Sequence, residues 1–429
     1  MTEPRRRPVR DPYGLLPSGS PVGPALALVG LVFVAFLTVG LLQGRLPLVS
    51  GGGGGGGGPA GLATPVPSGV VVDPRADIPG SIVYAKTGAI FVQSGKDVRQ
   101  LTNGRNDAMP SWSPDGAWVY FIRTVSEFAR WPIDAGAPVA YQLTYPVLMR
   151  VPAAGGTPEQ LATGKLTKGS YAWFFWIRQP AADPADPNKL AVVSDGPNPV
   201  QSDTVLQLFD ITNHKFSVVK GLSEVAPLGH QDPTWRTDGK ALLYTRNDRN
   251  AANGAPAIWR WDAVSGKSAA VTLAGYLQPS WSPDGRYIAA TKTSTVGTDV
   301  VILDASTGAE VMRVTADGES FAPAWSPRGD AIAYLHVVGG IVDLRMATLT
   351  GVGAGSTVKE TIDLTSKSGL DGTSRPAWFI PQSELPPSPA PSASPAGAPP
   401  AAGSSGTGAP AGAAGSSAAA SPVAPSQSP

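Results

Sequence analysis

The chain has 429 residues and no cysteine. That excludes disulfide staples, thiolate metal sites, cysteine nucleophiles and lipid attachment through a thioether. Histidine is nearly missing too: His214, His230 and His336 are the only three, and none sits in metal-ligand spacing. Only 15% of residues are charged, with a net charge of +1 and no basic block beyond the N-terminus. Nucleic-acid binding, which needs a cationic face, is therefore not expected. No Gly-x-Ser-x-Gly elbow and no Asp-x-Asp-x-Asp-Gly calcium loop occurs. Gly351-Val-Gly-Ala-Gly355-Ser-Thr lacks the lysine and the following helix of a phosphate loop, so it reads as a hairpin loop. From these absences no catalytic residue, cofactor or metal is expected. Catalysis itself is left open, with the balance against it.

What the chain does have is unevenly spread. Much of its excess of glycine (51) and proline (44) falls in Gly51–Gly58 and beyond Gln382. Residues 44–78 thus read as a flexible linker, and 382–429, almost wholly Pro, Ala, Ser and Gly, as a disordered tail. Ahead of the linker, Pro24–Leu42 runs 19 residues without a charge. A helix of that length spans about 28 Å, close to the hydrocarbon thickness of a bilayer. Arg5, Arg6, Arg7 and Arg10 precede it, whereas only Arg45 follows closely. The positive-inside rule gives a short cytoplasmic segment at 1–22, an uncleaved signal anchor at 23–43, and everything after it outside the cytoplasm. A cleaved signal peptide would have a shorter apolar run with small residues directly after it. Here Gln43-Gly-Arg-Leu-Pro follows instead.

Between the linker and the tail a phrase recurs: Pro110-Ser-Trp112-Ser-Pro-Asp115-Gly116, Pro233-Thr-Trp235-Arg-Thr-Asp238-Gly239, Pro279-Ser-Trp281-Ser-Pro-Asp284-Gly285 and Pro323-Ala-Trp325-Ser-Pro-Arg328-Gly329. Each copy precedes a β-rich run: AWVYFIR, ALLYTR, YIAATK and AIAYLH. Proline before tryptophan fits the start of a strand, and Asp-Gly closes a tight hairpin. A second turn repeats as Phe209-Asp210, Trp261-Asp262 and Leu303-Asp304 with Asn, Ser or Gly following. Four strands per unit result, with units starting near Met109, Tyr171, Asp232, Gln278 and Ala322. Ser81–Lys86, Ala89–Gln93 and Asp97–Thr102 supply three strands with no opening strand ahead of them. Arg375-Pro376-Ala-Trp378-Phe379 is an opening strand with no unit behind it. Pairing the two ends completes a six-bladed β-propeller over 79–381, an all-β domain preceded by a single transmembrane helix; seven blades is the alternative.

The phrase P-x-W-S-P-D-G, with a following I-A-like strand and a Leu-Thr strand such as Arg99-Gln-Leu-Thr102, resembles the WD40-like repeat of TolB-type propellers. It also resembles the propeller of prolyl-oligopeptidase-type peptidases. The likeness runs from Ile82 to Ile380 and implies a protein-interaction propeller outside the cytoplasm. TolB carries an α/β domain ahead of its propeller, where this chain has the apolar segment and the glycine tether. No binding residue of the family can be matched here.

The repeated residues belong to the scaffold first. Trp112, Trp173, Trp235, Trp281, Trp325 and Trp378 are expected at one recurring strand position, packing blade against blade. The repeated aspartates are turn residues. His214 is expected to be solvated and His336 packed. Function is sought where the repeat breaks. An insertion at Thr124–Pro146 carries Phe128, Arg130, Trp131, Tyr141 and Tyr145, the aromatic-plus-arginine composition of interface hot spots. The opposing expectation is that these rings pack the insertion onto its own blade. The loops entering each blade supply a second candidate: Asn106, Asp107, His230, Gln231, Asp232, Gln278, Glu319 and Arg375 around the channel mouth. Such a rim could hold a cation or a small polar ligand, against local hydrogen bonds and water. The function expected is a membrane-anchored, non-catalytic scaffold for a protein or envelope component. An extracellular hydrolase or lyase, or a small-ligand sensor using the rim, is the alternative.

Overall fold

The computed structural model describes residues 71–72, 77–104, 106–131, 139–196, 204–222, 229–247, 256–353 and 355–385. The expected anchor at 23–43, most of the linker and nearly all of the tail lie outside the described residues. Among the described residues no helix is long and apolar enough to cross a membrane.

The architecture is a succession of antiparallel sheets. Sheet I pairs Ala377–Phe379 with Ile78–Lys86, which pairs onward with Ala89–Gly95 and Asp97–Gln100. Sheet II holds Asp107–Trp112, Trp118–Trp131, Val139–Pro152 and Glu159–Thr163. Sheet III holds Ile177–Asp183, Asp186–Ser194, Val205–Asp210 and Lys215–Val218. Sheet IV runs from His230–Trp235 to Lys267–Ala270, sheet V from Tyr276–Trp281 to Glu310–Arg313, and sheet VI from Ser320–Trp325 to Val358–Asp363. Strand order follows chain order within each sheet except the first, whose first strand comes from the far end of the chain: Ile82 is opposite Trp378. Val71–Val72, inside the stretch expected as linker, adds a short fifth strand to sheet I.

One expectation is corrected. Tyr171–Phe174 does not open sheet III; it pairs only with Lys165–Lys168 in a small two-stranded sheet. The opening strand is Ile177–Asp183, where Gln179-Pro180-Ala181-Ala182 stands in the register of Asp232-Pro233-Thr234-Trp235. An alanine occupies the tryptophan's place, so the nearby Trp173 imitates the motif without holding its position.

Strand alternation explains the core. Successive residues point to opposite faces, and the middle strands of each sheet are covered on both faces and read as apolar runs, while outer strands such as Lys215–Val218 and Lys267–Ala270 stay largely exposed. Ile82 and Tyr84 pack with Ala333, Leu335 and Leu344 of sheet VI, while Val83 and Ala85 pack with Val119 and Phe121 of sheet II. Each of six apolar clusters lies between two neighbouring sheets in this manner. Fully buried side chains such as Phe121, Phe209, Tyr244 and Tyr334 anchor the seams, each contributing roughly 1.5–3 kcal/mol.

The repeated turn is held by its own side chains. Asp115 accepts from the Ala117 N–H at 3.0 Å and from the Ser113 hydroxyl, and Gly116 adopts φ +70°. These bonds to the ionised form lower the Asp115 pKa. Three of the repeated tryptophans donate their indole N–H: Trp112 to Ala377 O at 3.0 Å and Trp235 to Ala181 O at 3.2 Å tie neighbouring sheets together, while Trp378 to Pro79 O at 2.8 Å joins the two end strands within sheet I. The buried indole N–H groups of Trp281 and Trp325 have no such acceptor among the described residues.

This difference is testable by urea unfolding. Trp378→Phe should cost about 1 kcal/mol more than Trp281→Phe, because only the former breaks a hydrogen bond. Equal losses would show that packing alone decides the role of the indoles.

Candidate functional site

Two features depart from the repeat. The first is the insertion, which is not a loop but an extension of sheet II. Trp118–Trp131 and Val139–Pro152 remain paired in unbroken register from Trp118 opposite Pro152 to Trp131 opposite Val139. The neighbouring strands stop earlier: the first strand ends its pairing at Arg123 and the fourth at Val147. Beyond those points the sheet narrows to a two-stranded ribbon.

Alternation gives the ribbon two faces. Val125, Glu127, Trp131, Leu143, Tyr145 and Tyr141 share the partly covered face. The Tyr141 hydroxyl donates to Ala172 O at 2.6 Å, and Trp131 meets Tyr141 edge-on at 5.2 Å. The Lys165 ammonium pairs with Glu127 and lies 6.0 Å from the Tyr145 ring. The small hairpin at 165–174 therefore supports this face, and three of the five candidates, Trp131, Tyr141 and Tyr145, belong to it. Phe128 and Arg130 lie on the other face, where Phe128 is 87% exposed.

The second feature is a cavity of about 270 Å³ walled by the first strands of all six sheets. Its polar lining includes Gln179, Asp232 and Arg375, and its apolar lining includes Pro110, Trp235, Trp325 and Trp378. Of the eight rim candidates, only Asp232 and Arg375 line it. Asp107 is buried and held by a bidentate bond from Arg123 at 2.6 and 2.8 Å. Glu319 lies 4.0 Å from His336, whose ring also contacts Asp317 and Ser320. Asn106 passes its carbonyl to Thr124 N–H at 2.9 Å. Gln231 is paired opposite Thr245. His214 is exposed, yet its Nδ1 bonds Leu161 O at 2.7 Å.

Asp232 and Gln278 belong to a hydrogen-bonded belt that joins the first strands. Met109, Gln179, Asp232, Gln278 and Ala322 all have φ between +49° and +56°, and each precedes a proline. The ladder is shifted by a bulge at every one of them. Four of their N–H groups donate to a side chain of the preceding sheet. Met109 donates to Ser374 Oγ at 2.8 Å, Asp232 to Gln179 Oε1 at 2.9 Å, Gln278 to Thr245 Oγ1 at 3.0 Å and Ala322 to Gln278 Oε1 at 3.0 Å. Gln179 Nε2 and Thr245 Oγ1 donate in turn to the Asp232 carboxylate at 2.7 and 3.1 Å. Burial raises the Asp232 pKa, while Arg375, these bonds and Arg178 pull it back. The sequence carried a sign of this belt in the threonine shared by ALLYTR and YIAATK, Thr245 and Thr291, and in the x-Pro dipeptides.

Arg375, two residues before the strand Ala377–Phe379 of sheet I, reaches the first strands of two other sheets, donating to Pro279 O and, at 3.0 Å, to Pro233 O. Burial lowers its pKa and the Asp232 charge opposes that shift. His230 is fully buried against the Tyr244 ring at 4.7 Å. Its Nδ1 accepts from Leu206 N–H at 3.3 Å, leaving the proton on Nε2.

The class of protein follows from the repeat and the sheet order: an all-β chain of four-stranded antiparallel sheets of the β-propeller type, whose repeat resembles that of TolB-type propellers. No protein-family model matches the chain, and no curated protein matches it. Among solved structures it is similar to TolB from Acinetobacter baumannii, at 18% identity over 71% of this chain and 67% of that one, with a TM-score of 0.48. A putative TolB from Agrobacterium tumefaciens matches at 18% identity over 71% and 94%, TM-score 0.47. A puromycin-hydrolyzing peptidase from Mycobacterium tuberculosis matches at 15% identity over 67% and 43%, TM-score 0.43.

His230 makes stability depend on pH. Burial, and secondarily Arg246, lowers its pKa from 6.5 to about 4. The unfolded chain takes up this proton first as pH falls, so stability drops between about pH 6.5 and 4, by about 3 kcal/mol from this group. Thermal midpoints of His230→Leu should vary less with pH over that window than those of the parent. An unchanged slope would assign the acid sensitivity to other groups.

Proposed function

We propose that the chain is a membrane-anchored propeller of six four-stranded blades that works outside the cytoplasm. Its ring is closed by the pairing of Ile78–Lys86 with Ala377–Phe379, and it binds a protein or envelope component through the ribbon of sheet II. The apolar run at 24–42 and the arginines before it support the anchor and its orientation. The glycine tether supports a domain free to search a shell near the membrane. Six sheets linked by six seam clusters, one of them joining sheets VI and I, support the count and the closure.

The observation that carries the binding role is the division of the ribbon. One face is supported by Tyr141, Tyr145 and the 165–174 hairpin, which makes the ribbon stiff enough to present the other. That other face shows Phe128 and Arg130 beyond the last four-stranded row of the sheet. A rigidly held aromatic beside an arginine has the make-up of a hot spot, and rigidity lowers the entropy lost on binding.

A photo-reactive residue at position 128 in the full-length chain should cross-link to a discrete partner in envelope preparations, and one at Val264 should not. Adding Arg130→Ala should reduce the yield severalfold without altering the melting temperature. No adduct at 128, or equal adducts at both sites, would overturn the role of the ribbon. The anchor is tested separately: the full chain should stay with membranes after alkaline carbonate washing, and removal of 1–43 should release it.

A further inference from the structure

The cavity between the first strands has an unbalanced set of polar groups. A guanidinium has five N–H donors. Arg375 uses two of its nitrogens on Pro279 O and Pro233 O, and its other donors meet no protein acceptor among the described residues. It makes no ion pair within 4.0 Å there. Asp232 is the carboxylate whose charge it feels, but that carboxylate is occupied by Gln179 and Thr245 and also feels Arg178. Two cations thus share one anion. The Trp325 indole lines the same cavity, is 6% exposed, and its buried N–H has no acceptor among the described residues.

Arg375 is half-buried and its nearest anion is shared, so its charge is incompletely balanced, and a carboxylate across a guanidinium is the usual remedy. The rest of the wall combines proline, alanine and indole with the hydroxyl residues Ser111, Thr234, Thr237, Ser280 and Thr373, which suits an organic ligand with an apolar body beside a polar head. The volume of about 270 Å³ exceeds the roughly 150 Å³ that suffices for benzene. We propose that this cavity binds a small organic carboxylate, its oxygens on Arg375 and the Trp325 indole N–H and its apolar part against the proline and tryptophan wall. This site is separate from the ribbon, so either can fail without the other.

The test is calorimetric titration of the full-length chain with sodium 3-phenylpropionate, and with 3-phenylpropan-1-ol as a neutral probe with the same ring and linker. The expected result is one saturable site for the acid and affinity about tenfold or more weaker for the alcohol. Arg375→Gln should weaken the acid by about tenfold or more, and Trp325→Phe by a few-fold. Asp232→Asn should tighten it, because a competing negative charge is removed. Arg375 also bonds two carbonyls, so melting and circular dichroism are compared for every variant. If Arg375→Gln does not fold, Arg375→Lys, Trp325→Phe and Asp232→Asn decide. The proposal is overturned by no saturable heat up to about 10 mM acid, by equal affinity for acid and alcohol, or by folded variants that all bind like the parent.

Discussion

The residue before each strand-opening proline is the constraint on which the rest of this molecule depends. Pre-proline residues normally stay extended, yet five of them here are left-handed and none is glycine. Each such conformation costs about 1–3 kcal/mol, more than the roughly 0.5–1.5 kcal/mol net of the hydrogen bond that four of the five N–H groups make. The bond alone does not offset the strain. The turn of the backbone also sets the bulge that aims the following tryptophan, or its alanine stand-in, at the neighbouring sheet. Burial in six seams supplies the surplus that holds the strained residues in place. The polar belt therefore specifies how the sheets meet, and the apolar seams stabilise the meeting.

Much of this was legible in the residues and some was hidden for a definable reason. Proline, tryptophan and Asp-Gly mark strand starts and turns because each acts locally, so the four-strand units and the pairing of Ile82 with Trp378 could be read from spacing. Sheet III was misplaced at its start because Ala182 replaces the marker tryptophan while Trp173 supplies a false one nearby. The belt was out of reach for another reason. A positive φ at Asp232 or Gln278 is imposed by tertiary contacts and contradicts the local preference, so no propensity argument finds it. The ribbon was misjudged as a loop because polar and aromatic residues alternate there without the apolar run that marks a buried strand, although the alternation itself was visible.

The two candidate sites differ in kind. The ribbon exists because a hairpin outgrew its sheet, and its chemistry is on one face that the scaffold does not use. The cavity exists because six strands converge, and its chemistry comes from a charge left incompletely balanced by that convergence. Asp232 belongs to both the belt and the cavity wall. A ligand that altered its protonation or its bonds to Gln179 and Thr245 would be felt by sheets III and IV together.

The pairing of Ile82 with Trp378 also sets an order in time. Until residue 377 has been synthesised and delivered, sheet I presents the bare edge of Ile78–Lys86, and the seam holding Tyr84 lacks Trp378 and Ile380. The Arg375 donors that reach Pro233 and Pro279 arrive in the same last few residues. Contacts so distant along the chain form slowly, and an unpaired edge is a template for aggregation while it waits. For a chain waiting in this state, the interval before the final strand docks is the most vulnerable one.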